Sequence, residues 1–233
     1  MRSYNFRQVG CAKCPKREKG VFCRLSEKEL SFIDRSKTAN VYRRGQVVFY
    51  EGNPPLGVYC LFSGRVKLYK LSREGNGQIV GMAGPGELLG HESLLSNEPY
   101  AATTEVTDDA TICFIDKNTL TKLLEQSPFL ALDVARQLSR NLLRLEDKLQ
   151  DLTQKSATAR LALLLLELNS YSAAQLAPPI AMRFSRQTLA EAVGVTRETV
   201  IRILSQFKRR KIIASQGQRI LLLQPQLLEK LAA

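Results

Sequence analysis

Residues 184–208 read Phe184-Ser-Arg-Gln-Thr-Leu-Ala-Glu-Ala-Val-Gly-Val-Thr-Arg-Glu-Thr-Val-Ile-Arg-Ile-Leu-Ser-Gln-Phe-Lys208, and this segment determines the architecture of the C-terminal part of the chain. Ser185 and Thr196 stand where a side-chain oxygen can accept from the free N–H groups of a helix N-terminus, so two helices are expected. Gly194 lies between them and supplies the turn. The segment therefore predicts a helix-turn-helix. The apolar residues spaced to bury the two helices against each other are Leu189, Ala190, Val193, Val195, Val200, Ile203 and Leu204.

The second helix of such a motif presents the polar side chains of its first turns to nucleic-acid bases. Those positions hold Arg197, Glu198, Ile201 and Arg202. Arginine can donate twice to guanine, and a carboxylate can accept from cytosine, so the set predicts base reading in the major groove of DNA. The alternative is that Arg197, Glu198 and Arg202 form an ion-pair set on the surface.

Further positions in the same segment and just beyond it are predicted to hold DNA phosphates. A helix N-terminus attracts anions, and polar side chains near it fix the register of a protein on the duplex. A hairpin wing is also predicted, with a turn over residues 215–218 that separates Ile212-Ile-Ala from Arg219-Ile-Leu-Leu-Leu. The phosphate candidates are Ser185, Arg186, Gln187, Thr199 and, on the wing, Arg219.

The distribution of charge agrees with a polyanionic partner. The 233 residues include 34 Lys and Arg against 22 Asp and Glu, which gives a formal net charge of +12 at pH 7. Residues 183–219 hold nine basic and two acidic residues, and residues 1–25 hold seven and one. Such an excess favours nucleic acid as a partner. By contrast, the stretch from Glu74 to Asp116 has eight acidic residues and no Lys or Arg.

A heptad pattern begins after Ser127 and Pro128, which suit the cap and first position of a helix. Apolar residues then recur at intervals of four and three, as in two helices that pack along their length. The pattern predicts a homodimer helix. The alternative is that the stripe packs on the β domain of its own chain. The seam consists of Leu138, Leu142, Leu145, Leu149 and Leu152, preceded by Ala131 and Ala135.

Short apolar runs punctuated by glycine, from Val41 to Ile115, predict a small antiparallel β domain in which glycines such as Gly64 mark the turns. The predicted fold class is α+β, with an N-terminal antiparallel β-roll, a long dimerisation helix and a C-terminal winged helix-turn-helix. The expected domains are residues 1–127, with a cysteine-containing segment ahead of the roll, residues 128–155 and residues 156–233.

Along nearly its whole length the chain resembles the CRP/FNR (catabolite activator/fumarate-nitrate regulator) family of bacterial transcription factors. The resemblance rests on Gly64-Arg-Val-Lys-Leu and Pro85-Gly-Glu-Leu-Leu-Gly in the β-roll, on the long helix and on the winged helix-turn-helix. The segment Thr196-Arg-Glu-Thr-Val-Ile-Arg is similar to the catabolite-activator version, although Ile201 departs from it. The resemblance implies a homodimer on palindromic double-stranded DNA with TGTGA-like half-sites, and RNA polymerase as a further partner.

The residues that bind cyclic AMP in this family can be compared with those at the same positions of this sequence. A cyclic-nucleotide site in this family needs a Gly-Glu pair for the ribose and an Arg-Ser or Arg-Thr for the phosphate. Here Gly90 is followed by His91, and the phosphate positions fall on Tyr100-Ala101-Ala102. The acidic stretch around them offers no cation for a buried phosphate. Cyclic AMP is therefore not expected, whereas a neutral or cationic ligand in the roll stays open.

The five cysteines offer a second sensor. The family's oxygen sensors hold an iron–sulfur cluster with three N-terminal cysteines and one on a late strand, which implies Cys11, Cys14, Cys23 and Cys113 as ligands here. The spacing departs from that pattern, because eight residues separate Cys14 from Cys23. A zinc site on the same four thiols and a redox-active pair at Cys11 and Cys14 are alternatives. Cys60 is interpreted as a packing residue of the core.

Other classes of function fit the sequence less well. The longest apolar run, Leu161 to Leu166, has six residues, whereas a membrane span needs about 20. The N-terminal residues lack the apolar stretch of a signal peptide, so a cytoplasmic protein is expected. The single histidine, His91, excludes motifs that need two. An enzyme is not expected, since a thiol oxidoreductase using Cys11 and Cys14 would need a βαβ unit that the pattern lacks.

Overall fold

The structure is a computed structural model, and it describes residues 10–11, 14, 20–22, 24–75, 77–173 and 182–232. Cys23, one of the predicted cysteine ligands, lies outside the described residues, as do residues 174–181. The chain divides into two compact units, one of Met1–Lys70 with Val80–Leu143 and one of Leu71–Ile79 with Arg144–Ala233. The domain boundaries expected after residues 127 and 155 stay predictions.

The N-terminal β domain is confirmed as a six-stranded sheet in the order β1-β6-β3-β4, in which β2 also pairs with β6 and β5 with β3. The pairs that β6 forms with β1, β2 and β3 are antiparallel. An apolar core fills the space between the strands, with Leu61, Val66, Val106 and Ile112 almost completely buried. The strands are β1 (Thr38–Tyr42), β2 (Val47–Phe49), β3 (Gly57–Leu71), β4 (Gly77–Ala83), β5 (Leu88–Leu89) and β6 (Thr103–Asp116).

Gly64 corrects one detail of the sequence interpretation, because it lies inside β3 and not at a turn. Its φ is +87°, and the pairing of β3 with β6 shifts register between Ser63 and Arg65. A Cβ at Gly64 would lie 2.5 Å from the Cα of Ala110. Glycine therefore permits a bulge at which two strands approach closely, so the two apolar runs on either side form one strand.

Three short helices of this unit escaped the sequence analysis: α1 (Glu27–Ser36), α2 (His91–Ser96) and α3 (Lys117–Gln126). A capping box begins α1, since the Glu29 N–H donates to Ser26 Oγ at 3.3 Å and the Ser26 N–H donates to Glu29 Oε2 at 2.7 Å. Leu30 of α1 and Leu123 of α3 are buried in a second apolar core with Val134 of the helix that follows.

That helix is α4 (Pro128–Gln154), which begins at the predicted proline. Leu130 and Val134 face the core, and the buried Gln137 donates Nε2 to the Leu88 carbonyl at 3.0 Å. Leu138 is half-buried at the edge of this core, whereas the seam residues beyond it are exposed. The first two turns of α4 are therefore fixed on the β domain, and its C-terminal half presents an apolar stripe.

The C-terminal unit has the predicted winged helix-turn-helix, with a three-stranded sheet in the order β7-β9-β8. A terminal helix, α8, was not predicted from the sequence. Leu161, Leu165, Phe207 and Leu228 are almost completely buried in this unit. Its elements are α5 (Ala157–Ala173), β7 (Met182–Arg183), α6 (Arg186–Val193), α7 (Arg197–Arg209), β8 (Ile213–Gln216), β9 (Arg219–Leu222) and α8 (Pro225–Ala232).

Candidate nucleic-acid interface and thiol cavity

The helix-turn-helix has the caps that its sequence predicts. The Thr188 N–H donates to Ser185 Oγ at 2.9 Å at the start of α6, and the Thr199 N–H donates to Thr196 Oγ1 at 3.3 Å at the start of α7. Gly194 ends α6 with a φ of +72°, and its N–H donates to the Ala190 carbonyl at 2.9 Å. Together these bonds satisfy backbone groups that a helix end leaves free, and they fix the direction of α7.

The predicted reading residues share the exposed face of α7. Arg197, Glu198, Ile201 and Arg202 are all exposed, whereas Val200 on the opposite face is buried. Within the described part of the chain, none of the three charged side chains takes part in an ion pair, so the surface ion-pair alternative finds no support. The donors of both arginines and the carboxylate of Glu198 therefore lie on an exposed surface.

The phosphate candidates lie at the N-terminus of α6, at the start of α7 and on the wing. Gln187 and Arg219 are exposed, and Gln187 donates to Glu191 Oε1 at 3.1 Å. Arg186 donates Nη2 to the Gly217 carbonyl in the wing turn at 3.1 Å, which ties α6 to the wing. Its Nη1 is buried without a hydrogen-bond partner among the described residues, and burial lowers the pKa of the Arg186 guanidinium. Ser185 and Thr199 are half-buried in the cap network.

Two side chains outside the motif hold its turn in place. Gln78 donates Nε2 to the Glu191 carbonyl at 2.8 Å, and Arg160 donates Nε to the Val193 carbonyl at 3.0 Å. Both carbonyls belong to the last turn of α6, where backbone acceptors lack helical partners. A Cβ at Gly194 would lie 3.2 Å from Gln78 Oε1, so glycine also leaves room for this contact. No sequence pattern identifies Gln78, because its role depends on a long-range contact.

Four cysteines line one cavity in the N-terminal unit. Cys11, Cys14, Cys60 and Cys113 share its wall with Lys37, and the cavity volume is about 40 Å³. Cys11 and Cys14, two of the predicted ligands, therefore lie in the same cavity as Cys113. Cys60 also lines this cavity, although the sequence analysis interprets it only as a packing residue. Among the described residues, no three His, Cys, Asp or Glu side chains are yet arranged to hold a metal ion.

Burial controls the protonation of these thiols. It raises the pKa of Cys11 to about 12, although Lys37 donates Nζ to its Sγ at 3.1 Å. Burial also raises the pKa of Cys60 and Cys113. Lys37 forms an ion pair with Asp34, whose Oδ1 accepts from the Cys11 N–H at 2.8 Å. Cys11 is thus anchored to α1, and these three thiols are protonated at neutral pH unless a cation binds.

The positions that a cyclic nucleotide would need are filled by the protein itself. Tyr100 stacks on Phe49 with ring centroids 4.1 Å apart, and its hydroxyl donates to the Gly57 carbonyl at 2.9 Å. His91 is fully buried, and burial lowers its pKa. A Cβ at Gly90 would lie 2.7 Å from the Tyr100 ring. Tyr100, at a position expected to bind the phosphate, is thus a packed aromatic ring.

Comparison with known proteins supports this architecture. A family model described as "Cyclic nucleotide-binding domain" matches residues 39–127, and one described as "Crp-like helix-turn-helix domain" matches residues 159–231. The nitrogen fixation regulation protein FixK of Bradyrhizobium diazoefficiens is 30% identical over 96% of this chain and 94% of its own length. The transcriptional activator protein Anr of Pseudomonas protegens is 26% identical over 97% of this chain and 92% of its own length. The solved structure of FixK2 from Bradyrhizobium japonicum has a TM-score of 0.75 at 29% identity, covering 84% of this chain and 98% of that one.

A cyclic-nucleotide-binding type of sheet, a long helix and a winged helix-turn-helix together define a DNA-binding transcription regulator. The chain belongs to the CRP/FNR family of these regulators. The relatives are regulators and not enzymes, which confirms the expectation that this chain is not an enzyme. Among its described helices, none is long and apolar enough to cross a membrane.

Proposed function

We propose that this chain is a homodimeric, sequence-specific regulator with a sensory domain over residues 1–127, a dimerisation helix over 128–155 and a DNA-binding domain over 156–233. The observation that carries the proposal is the set of exposed side chains on the first two turns of α7, which form no ion pair with any described residue. A helix N-terminus with this chemistry fits a major groove. A protein that regulates chromosomal DNA in a bacterium works in the cytoplasm.

The base-reading step follows from donor and acceptor chemistry. Arg197 and Arg202 would donate to guanine O6 and N7, and Glu198 would accept from cytosine N4. Ile201 can make only apolar contacts, for example with a thymine methyl group. These preferences suit a palindrome with TGTGA-like half-sites. The test is fluorescence anisotropy with such a duplex and with a scrambled duplex of equal length. Equal affinity for both duplexes would refute sequence-specific reading.

The phosphate-binding step uses the N-terminus of α6 and the wing. Arg186 supports this role, because its bond to the Gly217 carbonyl holds a guanidinium between the N-terminus of α6 and the wing. Ser185, Gln187, Thr199 and Arg219 would complete the contacts to the backbone. Such contacts position the protein without reading sequence, so their loss should weaken all duplexes alike.

The dimer would form along the seam of α4, where Leu142, Leu145 and Leu149 are 58%, 51% and 65% exposed in the single chain. So many exposed leucines in one heptad stripe are costly unless a second copy covers them. Two copies would place two α7 helices on half-sites about one helical turn apart. RNA polymerase is the further partner that transcription activation requires.

The sensory step is proposed for the cysteine-containing N-terminal domain. An iron–sulfur cluster on Cys11, Cys14, Cys23 and Cys113 is the first candidate, and the placement of three of these thiols on one cavity supports it. A bound cluster would supply a centre that reacts with oxygen or changes redox state, while Lys37 would offset its negative charge. Zinc binding, thiol oxidation or a ligand other than cyclic AMP are the alternatives. Anaerobic purification with iron, sulfide and zinc analysis distinguishes them.

The sensed state would act on DNA binding through the packing of α4. Leu138 packs at the edge of the sensory core, whereas Leu142 to Leu152 belong to the exposed seam. A change in the packing of Leu138 would shift the seam and reorient the reading helices. This step is tested by measuring the affinity for DNA in the presence and in the absence of the sensed signal. An affinity that does not respond to that state would refute it.

A further inference from the structure

The link from α7 to the wing contains a lysine in an unusual backbone conformation. Lys211 has a φ of +54°, in the left-handed region that glycine adopts freely and that a Cβ makes unfavourable. Among the described residues, the only other non-glycine residue with a positive φ is Asn97, and asparagine tolerates this region better than lysine does. The backbone at position 211 therefore favours a glycine that the chain does not have.

Hydrogen bonds around Lys211 fix this conformation. The Lys211 N–H donates to the Lys208 carbonyl at 3.0 Å, and the Ile212 N–H donates to the Phe207 carbonyl at 2.9 Å. This pair of bonds is the Schellman ending of a helix, in which the left-handed position is usually glycine. Gln224 donates Nε2 to the Lys211 carbonyl at 3.1 Å, which is again a backbone contact. The fold therefore determines the backbone at position 211 but does not require a lysine side chain there.

The Lys211 side chain does not stabilise the fold through contacts of its own. Lys211 is exposed, and its ammonium forms neither an ion pair nor a hydrogen bond with any described residue. Cations in the last turn of a helix interact favourably with the helix dipole, which accounts for Lys208 and Arg209. Glycine at position 211 would keep both of those cations and remove the unfavourable φ. The stability of the fold alone therefore does not explain Lys211.

Lys211 completes a run of basic residues at the end of α7. All members of the run are exposed, and none forms an ion pair with a described residue. An α-helix rises about 1.5 Å per residue, so the 13 residues of α7 extend about 20 Å, whereas the major groove is about 12 Å wide. With its first turns in the groove, α7 therefore ends at a sugar–phosphate strand that borders the groove. The run consists of Lys208, Arg209, Arg210 and Lys211.

We propose that residues 208–211 form a second phosphate-binding surface, separate from the N-terminus of α6 and the wing, and that Lys211 serves DNA binding although it destabilises the fold. The inference rests on the proposed docking of α7 in the major groove. The partner is the backbone of double-stranded DNA, because the surface carries four cations and ends the helix that reads the bases. Contacts to phosphates raise the affinity for every sequence and depend strongly on salt.

Lys211→Gly separates stability from DNA binding, because it removes the cation and the unfavourable φ together. The midpoint of thermal unfolding of the full-length protein, followed by circular dichroism, should rise by about 2–4 °C. Affinity for duplex DNA should fall in the anisotropy assay. Affinity decreases with about the 0.9 power of the salt concentration for each neutralised phosphate, so one lost contact weakens binding about 8-fold at 0.1 M salt relative to 1 M salt. For a site bound by two chains the loss is about 60-fold.

Three further variants identify the cause of such a loss. Lys211→Gln removes the charge and keeps the positive φ, so it should weaken DNA binding without raising the midpoint. Lys211→Arg keeps the cation and should bind DNA as the wild type does. Lys230→Gln removes an exposed lysine of α8 in the same compact unit, and it should leave both the affinity and its salt dependence unchanged.

The slope of log affinity against log salt concentration gives the decisive result. Each lost phosphate contact should reduce this slope by about 1, equally on the TGTGA-like and the scrambled duplex. An unchanged slope in Lys211→Gly, an equal change in Lys230→Gln, or a loss confined to the TGTGA-like duplex would overturn the phosphate contact. A lower midpoint in Lys211→Gly would overturn the conflict with stability. If the wild type binds both duplexes equally, sequence-specific reading fails, whereas the salt slopes still decide the role of Lys211.

Discussion

Leu142 and Leu143 form a natural matched pair for testing the dimer. They are adjacent on α4 and are 58% and 59% exposed, but only Leu142 belongs to the heptad seam. Full burial of a leucine contributes about 1.5–3 kcal/mol, so covering the exposed half of Leu142 contributes about 1–2 kcal/mol per chain. Both chains of a dimer lose this contribution, which makes Leu142→Ala cost about 2–4 kcal/mol of dimerisation free energy. At about 1.4 kcal/mol per factor of ten, the dissociation constant rises about 30- to 700-fold.

Analytical ultracentrifugation over a concentration series measures this constant directly. Leu143→Ala is the control, because it removes the same atoms from the same helix and changes helix propensity equally. Its dimer should dissociate at nearly the wild-type concentration. Equal dissociation constants for the two variants would refute the seam and with it the proposed spacing of the reading helices.

Three further outcomes are expected. In the anisotropy assay, Arg197→Ala should lose about 1–3 kcal/mol of binding free energy on the TGTGA-like duplex and little on a scrambled duplex. An equal loss on both duplexes would make Arg197 a phosphate contact. Gly64→Ala should lower the midpoint of thermal unfolding much more than Gly45→Ala does. The two glycines have φ of +87° and +86°, but of the two only Gly64 has the backbone of β6 within reach of an added Cβ. Equal midpoints would contradict the close approach at the bulge. The hydrogen bond from Arg24 lowers the pKa of Asp133 in the folded state. The ion pair therefore contributes its full stabilisation above about pH 3.9, the pKa of an unfolded Asp, and this contribution is lost as the pH falls through the lower pKa of the folded state. Asp133→Asn should therefore lower the midpoint in denaturation scans at pH 7 and have little effect at pH 2, and a loss independent of pH would contradict the assignment.

The parts of the fold that the sequence reveals are those encoded by local chemistry. Ser185 and Thr196 cap helices because a hydroxyl is needed three residues before a free N–H, and this spacing is visible in the chain. Pro128 begins α4 for a similarly local reason, since proline lacks the N–H that a first helical position leaves unused. The exposed face of α7 follows from helical periodicity once its start is known.

The features that sequence analysis missed depend on which strands and segments meet. Nothing in the residues around Cys60 shows that its direct partner on β6 is Cys113, because register is set by the whole sheet. Gly64 belongs to a bulge, and not to a turn, for the same reason. Gln78 lies far along the chain from Glu191, so its contact with the helix-turn-helix leaves no periodic signal.

The thiol cavity lies against the core on which α4 packs. Cys11 and Cys60 pack against the same apolar core as Val134 of α4, and Leu138 lies at the edge of that core. Protein interiors are close-packed, so a change in the wall of the cavity would displace neighbouring side chains and would not be absorbed by empty space. Leu138 is also the first leucine of the proposed seam, where the core of the sensory domain ends and the exposed stripe begins. One apolar core therefore joins the cavity to the first residue of the proposed seam, and this core lies within a single compact unit of the chain.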